Sequence, residues 1–228
     1  MPRTMTRVAA VFMLLFAASC AEFKNPPDLS RHLVKASIGT VERFRANKDF
    51  PQFVPMLDKA RAVMVFPSLI KAGFVGAAEG GSGVLLARRE DGTWTSPAFY
   101  TLAAGSIGLQ IGIQDTEMVM IIRNRGALES ILTHQGKLGA DLGITVGTLG
   151  AGAEAATTTN LGADIVAYVN ANIGVFGGAS LEGTALARRH DLNQAYYGQA
   201  VEPRDIVIAG SVTNPDADSL RAALGPGR

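Results

Sequence analysis

The sequence has few of the residues on which catalysis and metal binding most often depend. It contains one cysteine and three histidines among 228 residues, and no two histidines lie at a spacing typical of metal ligands. A single cysteine, Cys20, excludes an internal disulfide. No Gly-x-Ser-x-Gly nucleophile motif occurs. We therefore predict no catalytic residues, no metal and no cofactor, and a protein that binds a partner and is not an enzyme.

Charge is also scarce, and neither sign dominates. Only 18% of the residues are charged, with 21 basic and 20 acidic side chains and no long block of either. This balance excludes the broad basic surface that nucleic-acid binding requires, so any anion site must be local. By contrast, 47% of the residues are hydrophobic and 26 are glycine. These proportions predict one domain with a large core and many tight turns in β-structure.

The N-terminus has the pattern of an export signal. Arg3 and Arg7 precede an apolar run over residues 8–18, which is too short to span a bilayer as a helix. Small residues then lead to Cys20, the position at which a bacterial lipoprotein is acylated. We predict a signal peptide over residues 1–19 and a fatty acid such as palmitate on Cys20. Without this signal the chain has 19 basic and 20 acidic residues, a formal net charge of −1.

A different cleavage site remains open. Ala17 stands where lipoprotein signals usually have leucine, and an ordinary signal peptidase could cut near Ala18 or Ala21, which would leave Cys20 as a thiol. If Cys20 is lipidated, alanine rather than aspartate at the next position favours transfer to the outer membrane. We expect a lipid-anchored protein on the periplasmic face of that membrane, with residues 20–28 as the tether.

From Leu29 the period of apolar residues predicts an amphipathic helix that begins at an Asp28 N-cap and ends near Asn47. Its apolar face either packs on the rest of the domain, or its basic flank lies at a phospholipid surface. Apolar residues alternate over residues 164–176, as in a long strand. The turn at Glu90-Asp91-Gly92 predicts a hairpin with Arg88 and Arg89 in solvent.

Further segments follow the same rules. Pro67 is expected to end the first strand, residues 124–132 to form a helix, and residues 205–212 to form a last strand. Trp94 is either a core residue or lies at a lipid interface. Together these elements predict an α+β fold, with an antiparallel β-sandwich or partly closed barrel and N-terminal amphipathic helices packed on it.

Three groups of residues occur in a fixed order along the chain. They are Lys59-Ala60-Arg61-Ala62-Val63-Met64-Val65-Phe66-Pro67 followed by Gly73, Gly76, Gly80, Gly81 and Gly83; Gly105-x-x-Gly108-x-Gln110-x-Gly112; and Gly177-Gly178, Ser180-Leu181-Glu182-Gly183, Arg188-Arg189 and Asn193-x-x-Tyr196-Tyr197-Gly198. In this order they resemble the SYLF domain, known in eukaryotes for phosphoinositide binding and actin association. The resemblance covers residues 53–212, the core of a single domain over residues 29–228.

The resemblance implies binding of phospholipid, through an anionic, phosphoinositide-like headgroup or an acyl chain, at a membrane surface. The alternative is a structural or protein-interaction module of the cell envelope, whose partner is an envelope protein or a second copy. Glycines over residues 68–83 either approach a phosphate or a lipid chain, or let two sheets pack closely. From charge placement, the residues predicted to contact a headgroup are Arg31, Lys35, Arg43, Arg45, Lys59, Arg61 and Lys71.

Overall fold

The structure is a computed structural model that describes residues 25–73, 76–107, 112–133, 136–137, 145–150, 163–173 and 184–226. The predicted signal peptide and Cys20 lie outside the described residues, as does the Gly-Gly-containing stretch over residues 174–183.

The strands that the structure describes form one sheet in the order β5-β8-β3-β2-β1-β4-β7-β6. All neighbouring strands are antiparallel except β6 and β7, which are parallel. The strands are β1 (Ala62–Gly73), β2 (Gly76–Ala87), β3 (Ala98–Ile107), β4 (Gly112–Ile122), β5 (Gly136–Lys137), β6 (Val146–Gly150), β7 (Ile165–Ile173) and β8 (Ala185–Arg188).

Helices cover both faces of this sheet. The α-helices are α1 (Pro26–Ala46), α2 (Phe53–Asp58), α3 (Arg125–Thr133), α4 (His190–Tyr197) and α5 (Asp218–Leu224). One π-helical turn (Asp205–Ala209) and one 3₁₀ turn (Pro215–Ala217) complete the described helical elements. Because side chains alternate along each strand, the sheet contributes to two separate cores. One packs against α3 and the π-helical turn, and the other against α1, α2, α4 and α5.

The alternation is clearest in β1, the strand between β2 and β4. Met64 and Phe66 point into the core beneath α3, while Val63 and Val65 point into the core beneath α1, and all four are fully buried. The buried members of both cores lie between Leu33 and Leu224. A chain that begins at Ala21 therefore retains every residue of the described core.

The α+β class and the packing of the N-terminal helices on the sheet are confirmed. The sheet is not closed into a barrel, because its end strands β5 and β6 do not pair with each other among the described residues. In the same residues, its two faces are covered by helices and not by a second sheet. The hairpin, α1, α3 and the capping of α3 by Asn124 also agree with the sequence, since the Asn124 Oδ1 accepts the Ala127 N–H at 2.8 Å.

Other local predictions were wrong. The segment expected to be a last strand is the π-helical turn, in which Ile206 and Val207 are both buried, a pairing that alternation does not produce. The N-cap of α1 is Asn25, and Asp28 lies in its first turn. β1 continues past Pro67, because its register shifts by a bulge between Phe66 and Leu69 that takes the proline out of the ladder.

Candidate functional site

Basic side chains gather at one end of the sheet, where β1 begins and β2 and β4 end. The backbone N–H of Arg61 donates to Ile122 O at 2.8 Å, and that of Arg88 donates to Arg61 O at 2.8 Å. These bonds align the ends of three neighbouring strands. The basic residues at or beside these ends are Lys59, Arg61, Arg88, Arg89, Arg123 and Arg125.

The first of two clefts at this end, which we call the arginine cleft, has a volume of about 430 Å³. Its lining includes four arginines and two acids, a net charge of +2, together with apolar side chains from α3 and the π-helical turn. It is lined by Arg61, Ala87, Arg88, Arg89, Glu90, Asp91, Arg125, Leu128, Val207 and Ile208. A cleft with a basic rim and an apolar wall suits an amphiphilic anion.

The guanidinium of Arg88 is engaged in hydrogen bonds and a cation–π contact within the protein. It donates from Nε to Ala60 O at 3.1 Å and from Nη2 to Leu57 O at 2.8 Å, and its guanidinium lies 4.1 Å from the ring centroid of Trp94. Burial lowers the pKa of Arg88 below its usual value. Arg88 is therefore a structural residue and not a solvated hairpin tip, and the fully buried Trp94 confirms the core alternative.

The other arginines of the cleft have fewer partners. Arg89 donates to Trp94 O at 2.9 Å, and the Nε of Arg125 lies 3.7 Å from a Glu129 oxygen, beyond hydrogen-bond distance. The Nε of Arg61 is buried, and it finds no acceptor among the described residues. A buried guanidinium N–H without an acceptor is costly, and an anion bound to the same guanidinium would offset part of that cost.

Of the two acids in the cleft, Asp91 accepts hydrogen bonds from Thr93 within the same hairpin turn. Its carboxylate accepts the Thr93 hydroxyl at 2.6 Å and the Thr93 backbone N–H at 2.9 Å, and these bonds lower its pKa. Its negative charge is therefore directed toward Thr93 and partly satisfied there. Glu90, the other acid, is exposed in the lining, so the four arginines exceed the acids of the cleft by two charges.

A second cleft of about 530 Å³ lies beside α2 at the same end of the sheet and includes Lys59, Arg123 and Asp164 in its lining. Arg123 donates to Ala163 O at 2.8 Å. The pKa of Asp164 lies below its usual value, chiefly because the Thr145 backbone N–H donates to it, with help from the Thr145 hydroxyl and Asn124. The cations of this cleft are Arg123, which donates to a backbone oxygen, and Lys59, whose side chain is exposed.

Arg43, on α1, has a different environment. It forms an ion pair with Glu117 of β4, whose carboxylate is 1% exposed and also accepts the Thr40 hydroxyl at 2.7 Å. The hydrogen bond to Glu117 raises the pKa of Arg43. Arg43 and Thr40 thus neutralise a buried carboxylate and tie α1 to the sheet.

The remaining predicted headgroup residues are scattered. Arg31 pairs with Asp28 at 2.8 Å, and Lys35 is exposed on the same helix. Arg45 donates to Leu224 O at 3.3 Å. Lys71 lies far along β1, opposite Glu79. Burial raises the pKa of Glu79, and the positive charge of Lys71 cancels part of that increase.

Of the seven predicted residues, only Lys59 and Arg61 lie at the basic end of the sheet. Sequence reasoning missed Arg123 and Arg125, which directly follow the apolar strand β4 on either side of Asn124. Their position just beyond a predicted central strand was the available signal, because strand ends of one sheet meet at a common edge.

The described residues offer neither a membrane-spanning helix nor a cluster of metal ligands. No helix there is long and apolar enough to cross a membrane. In the same parts of the chain, no three histidine, cysteine or acidic side chains come together as metal ligands would.

Comparison with known proteins gives consistent matches. Residues 103–226 match the family model described as "Ysc84: Las17-binding protein actin regulator". The chain is 30% identical over 207 residues to protein YSC84 of Saccharomyces cerevisiae, a match that covers 90% of this chain and 42% of the relative. It is 32% identical over 170 residues to SH3 domain-containing YSC84-like protein 1 of Homo sapiens, covering 74% of this chain and 49% of the relative.

LAS seventeen-binding protein 3 of Saccharomyces cerevisiae is 32% identical over 171 residues, which cover 73% of this chain and 37% of the relative. The chain thus spans about two fifths to one half of the length of the relatives it matches. The shared part includes the segments that build the arginine cleft from β4 onward.

Proposed function

Because this chain belongs to the Ysc84 family of SYLF-domain proteins, as its motifs predicted, we propose that its domain binds anionic phospholipid at a membrane surface through the arginine cleft. The observation that carries the proposal is Arg61, whose buried Nε has no acceptor among the described residues. Arg61 lines a cleft that also contains Arg125 and an apolar wall. A phosphate would satisfy the guanidinium, and the wall would contact the glycerol or first methylenes of the lipid.

The chemistry favours a phosphate-bearing ligand. A guanidinium presents two parallel N–H groups that match two phosphate oxygens, and this geometry holds better in a partly buried cleft than in water. The net charge of the cleft is +2, although the whole chain is nearly neutral. Binding therefore depends on a local arrangement of charge and not on the field of the whole protein. Function of this kind requires no enzymatic step.

A second candidate is a protein-interaction module. The family model is described as a Las17-binding actin regulator, and a yeast relative is named for binding Las17. Those descriptions refer to a protein partner, which in this chain would be an envelope protein or a second copy. The arginine cleft would then bind an acidic side chain of that partner instead of a phosphate.

Flotation of the chain from Ala21 onward with liposomes distinguishes the two. We expect binding to vesicles that contain phosphatidylglycerol, weaker binding to pure phosphatidylcholine, and loss of binding in high salt. The double variant R61E/R125E should lose binding. Its matched control is R31E/K35E, which makes the same change in charge on the exposed face of α1.

The control also tests the expectation that α1 contacts headgroups. Equal loss in both double variants would mean that the cleft is not the specific site of headgroup binding and would overturn its role. Absence of binding to every vesicle would favour the protein-interaction module, which size-exclusion chromatography with light scattering would then test for self-association.

We further propose that Cys20 is acylated, so that the domain is tethered at the periplasmic face of the outer membrane. The signal-like pattern before Cys20 supports this proposal. The test is the intact mass of the protein purified from the membrane fraction, which should correspond to a chain that starts at Cys20 and carries acyl groups. An unmodified chain with another first residue would remove the anchor but leave the proposal for the arginine cleft standing.

A further inference from the structure

Two large hydrophobic residues are exposed among the residues that the structure describes, and one of them borders the arginine cleft. Ile208 is 40% exposed and Ile70 is 54% exposed. Ile208 belongs to the π-helical turn, whose preceding residues Ile206 and Val207 are buried in the core. The turn is therefore held in place by two buried side chains while it presents Ile208 outward. Single π-helical turns occur frequently at functional sites.

Arginines share a cleft with this exposed side chain. Ile208 lines the same cleft as Arg61 and Arg125. On the C-terminal side of the turn, the Arg89 guanidinium approaches Gly210, lying 3.6 Å from the position that a Cβ would occupy there. An apolar side chain among guanidinium groups matches the cross-section of a bilayer interface, where phosphates lie above the first methylenes of the acyl chains.

Ile70 provides the contrast within the same molecule. It lies nine residues beyond Arg61 along β1, which corresponds to roughly 25–30 Å of strand. Its strand neighbour Lys71 lies opposite the acid Glu79, and Ile70 is not part of the arginine cleft. If exposure of an isoleucine were sufficient for membrane contact, both Ile70 and Ile208 would contact the membrane. If neighbouring arginines are also required, only Ile208 would contact it.

We propose that Ile208 enters the boundary between headgroups and acyl chains of an anionic bilayer when the arginine cleft binds phosphate. The basic end of the sheet then faces the membrane, and Ile70 stays in water. This inference rests on the proposed function, and it adds an orientation of the domain and a residue that penetrates the bilayer. Charge complementarity selects a lipid surface, because the cleft has a net positive charge beside the exposed isoleucine.

The test places a single cysteine at each of the two positions and labels it with a dye. Cys20 is the only cysteine in the chain, so I208C and I70C in the chain from Ala21 onward each have one thiol for an environment-sensitive dye such as nitrobenzoxadiazole. With phosphatidylglycerol vesicles, the dye at position 208 should shift to the blue and become protected from an aqueous quencher. The dye at position 70 should change in neither respect. Thermal unfolding of each labelled protein confirms that it is folded.

A second measurement avoids the dye. I208S should weaken vesicle binding about tenfold, as removal of one inserted aliphatic side chain predicts, while I70S should change it less than twofold. Salt-sensitive binding that R61E/R125E abolishes, without a shift at position 208, would overturn insertion and leave the proposed function intact. Equal shifts at both positions would overturn the orientation. No vesicle binding at all would overturn both proposals.

Discussion

Arg43 and Arg61 were predicted from sequence to do the same thing, yet the fold gives them opposite surroundings. Arg43 faces the buried carboxylate of Glu117, and together with Thr40 it satisfies that charge. Arg61 lines a cleft in which its buried Nε has no acceptor among the described residues. The difference teaches that a basic residue is available to a ligand only where the fold has not already placed an acid opposite it.

The same comparison reassigns the role of α1. Its apolar face packs on the core, with Val41 and Phe44 almost fully buried, as one of the two alternatives from sequence predicted. A charge reversal at Arg43 would place a second carboxylate against the buried carboxylate of Glu117. Such a variant would bind less lipid simply because it is less stable. Headgroup binding is therefore tested with substitutions in the arginine cleft.

The largest expected effect is on stability at Arg43. R43M should lower the free energy of unfolding by about 3 kcal/mol, because it leaves Glu117 buried without its cation. R61M should change it by less than about 0.5 kcal/mol, since no partner is lost. Urea denaturation followed by circular dichroism measures both.

A double-mutant cycle sharpens this prediction. R43M/E117Q should be more stable than R43M alone, because the neutral amide needs no cation and can still accept from Thr40. If R43M and R61M destabilise the protein equally, or if E117Q fails to rescue R43M, the distinction between the two arginines is wrong.

A smaller effect separates the two alternatives for the glycine-rich segment. A Cβ at Gly83 would lie 2.3 Å from Val65 O and 2.6 Å from a carbon of the Phe66 ring. G83A should therefore destabilise the protein by about 2 kcal/mol, since the backbone oxygen cannot move aside cheaply. This geometry favours close packing over a phosphate cradle at this position, but the close neighbour is β1 of the same sheet and not a second sheet.

Gly126 is the matched control. A Cβ there would meet only Asn124 Oδ1, at 3.4 Å, and the residue is exposed in the first turn of α3. G126A should leave stability unchanged or raise it by about 0.5 kcal/mol, because alanine favours the helix. Equal destabilisation by both alanines in thermal unfolding would contradict the close-packing explanation of Gly83.

Sequence reasoning succeeded where the signal is local. The periodicity of α1 and the turn beside Gly92 each depend on neighbouring residues, and both elements formed as predicted. The pairing of Arg43 with Glu117 joins residues 74 apart, and no local pattern indicates it. The arginine cleft likewise combines β1, the hairpin turn, α3 and the π-helical turn. Because four separate segments build it, no local pattern assigns Ile208 to it, and for Arg125 the only signal was its position just beyond the predicted central strand.

The smallest effects concern two carboxylates, Asp164 and Glu79. Their surroundings differ as those of Arg43 and Arg61 do, and their pKa values shift in opposite directions. Asp164 accepts from Thr145 and Asn124, and its pKa is lowered below 3.8. Burial raises the pKa of Glu79 above 4.5, and Lys71 offsets only part of that rise. Asp164 therefore contributes stability above pH 3.8 that is lost as the pH falls through its folded pKa. Glu79 has the opposite sign, since its contribution is present below pH 4.5 and is lost as the pH rises through its folded pKa.

Neutral substitutions should separate these signs. D164N should lower the urea midpoint at pH 7, and the difference from the parent should shrink toward pH 3 as the parent carboxylate is protonated. E79Q should raise the midpoint at pH 7 and have little effect at pH 3, because it removes a partly desolvated charge that Lys71 offsets only in part. A loss of stability in E79Q at pH 7 would mean that Lys71 satisfies Glu79 as fully as Arg43 satisfies Glu117. The acid–base pair on β1 and β2 would then belong with the structural ion pairs, and the arginine cleft would remain the place where charge is left for a ligand.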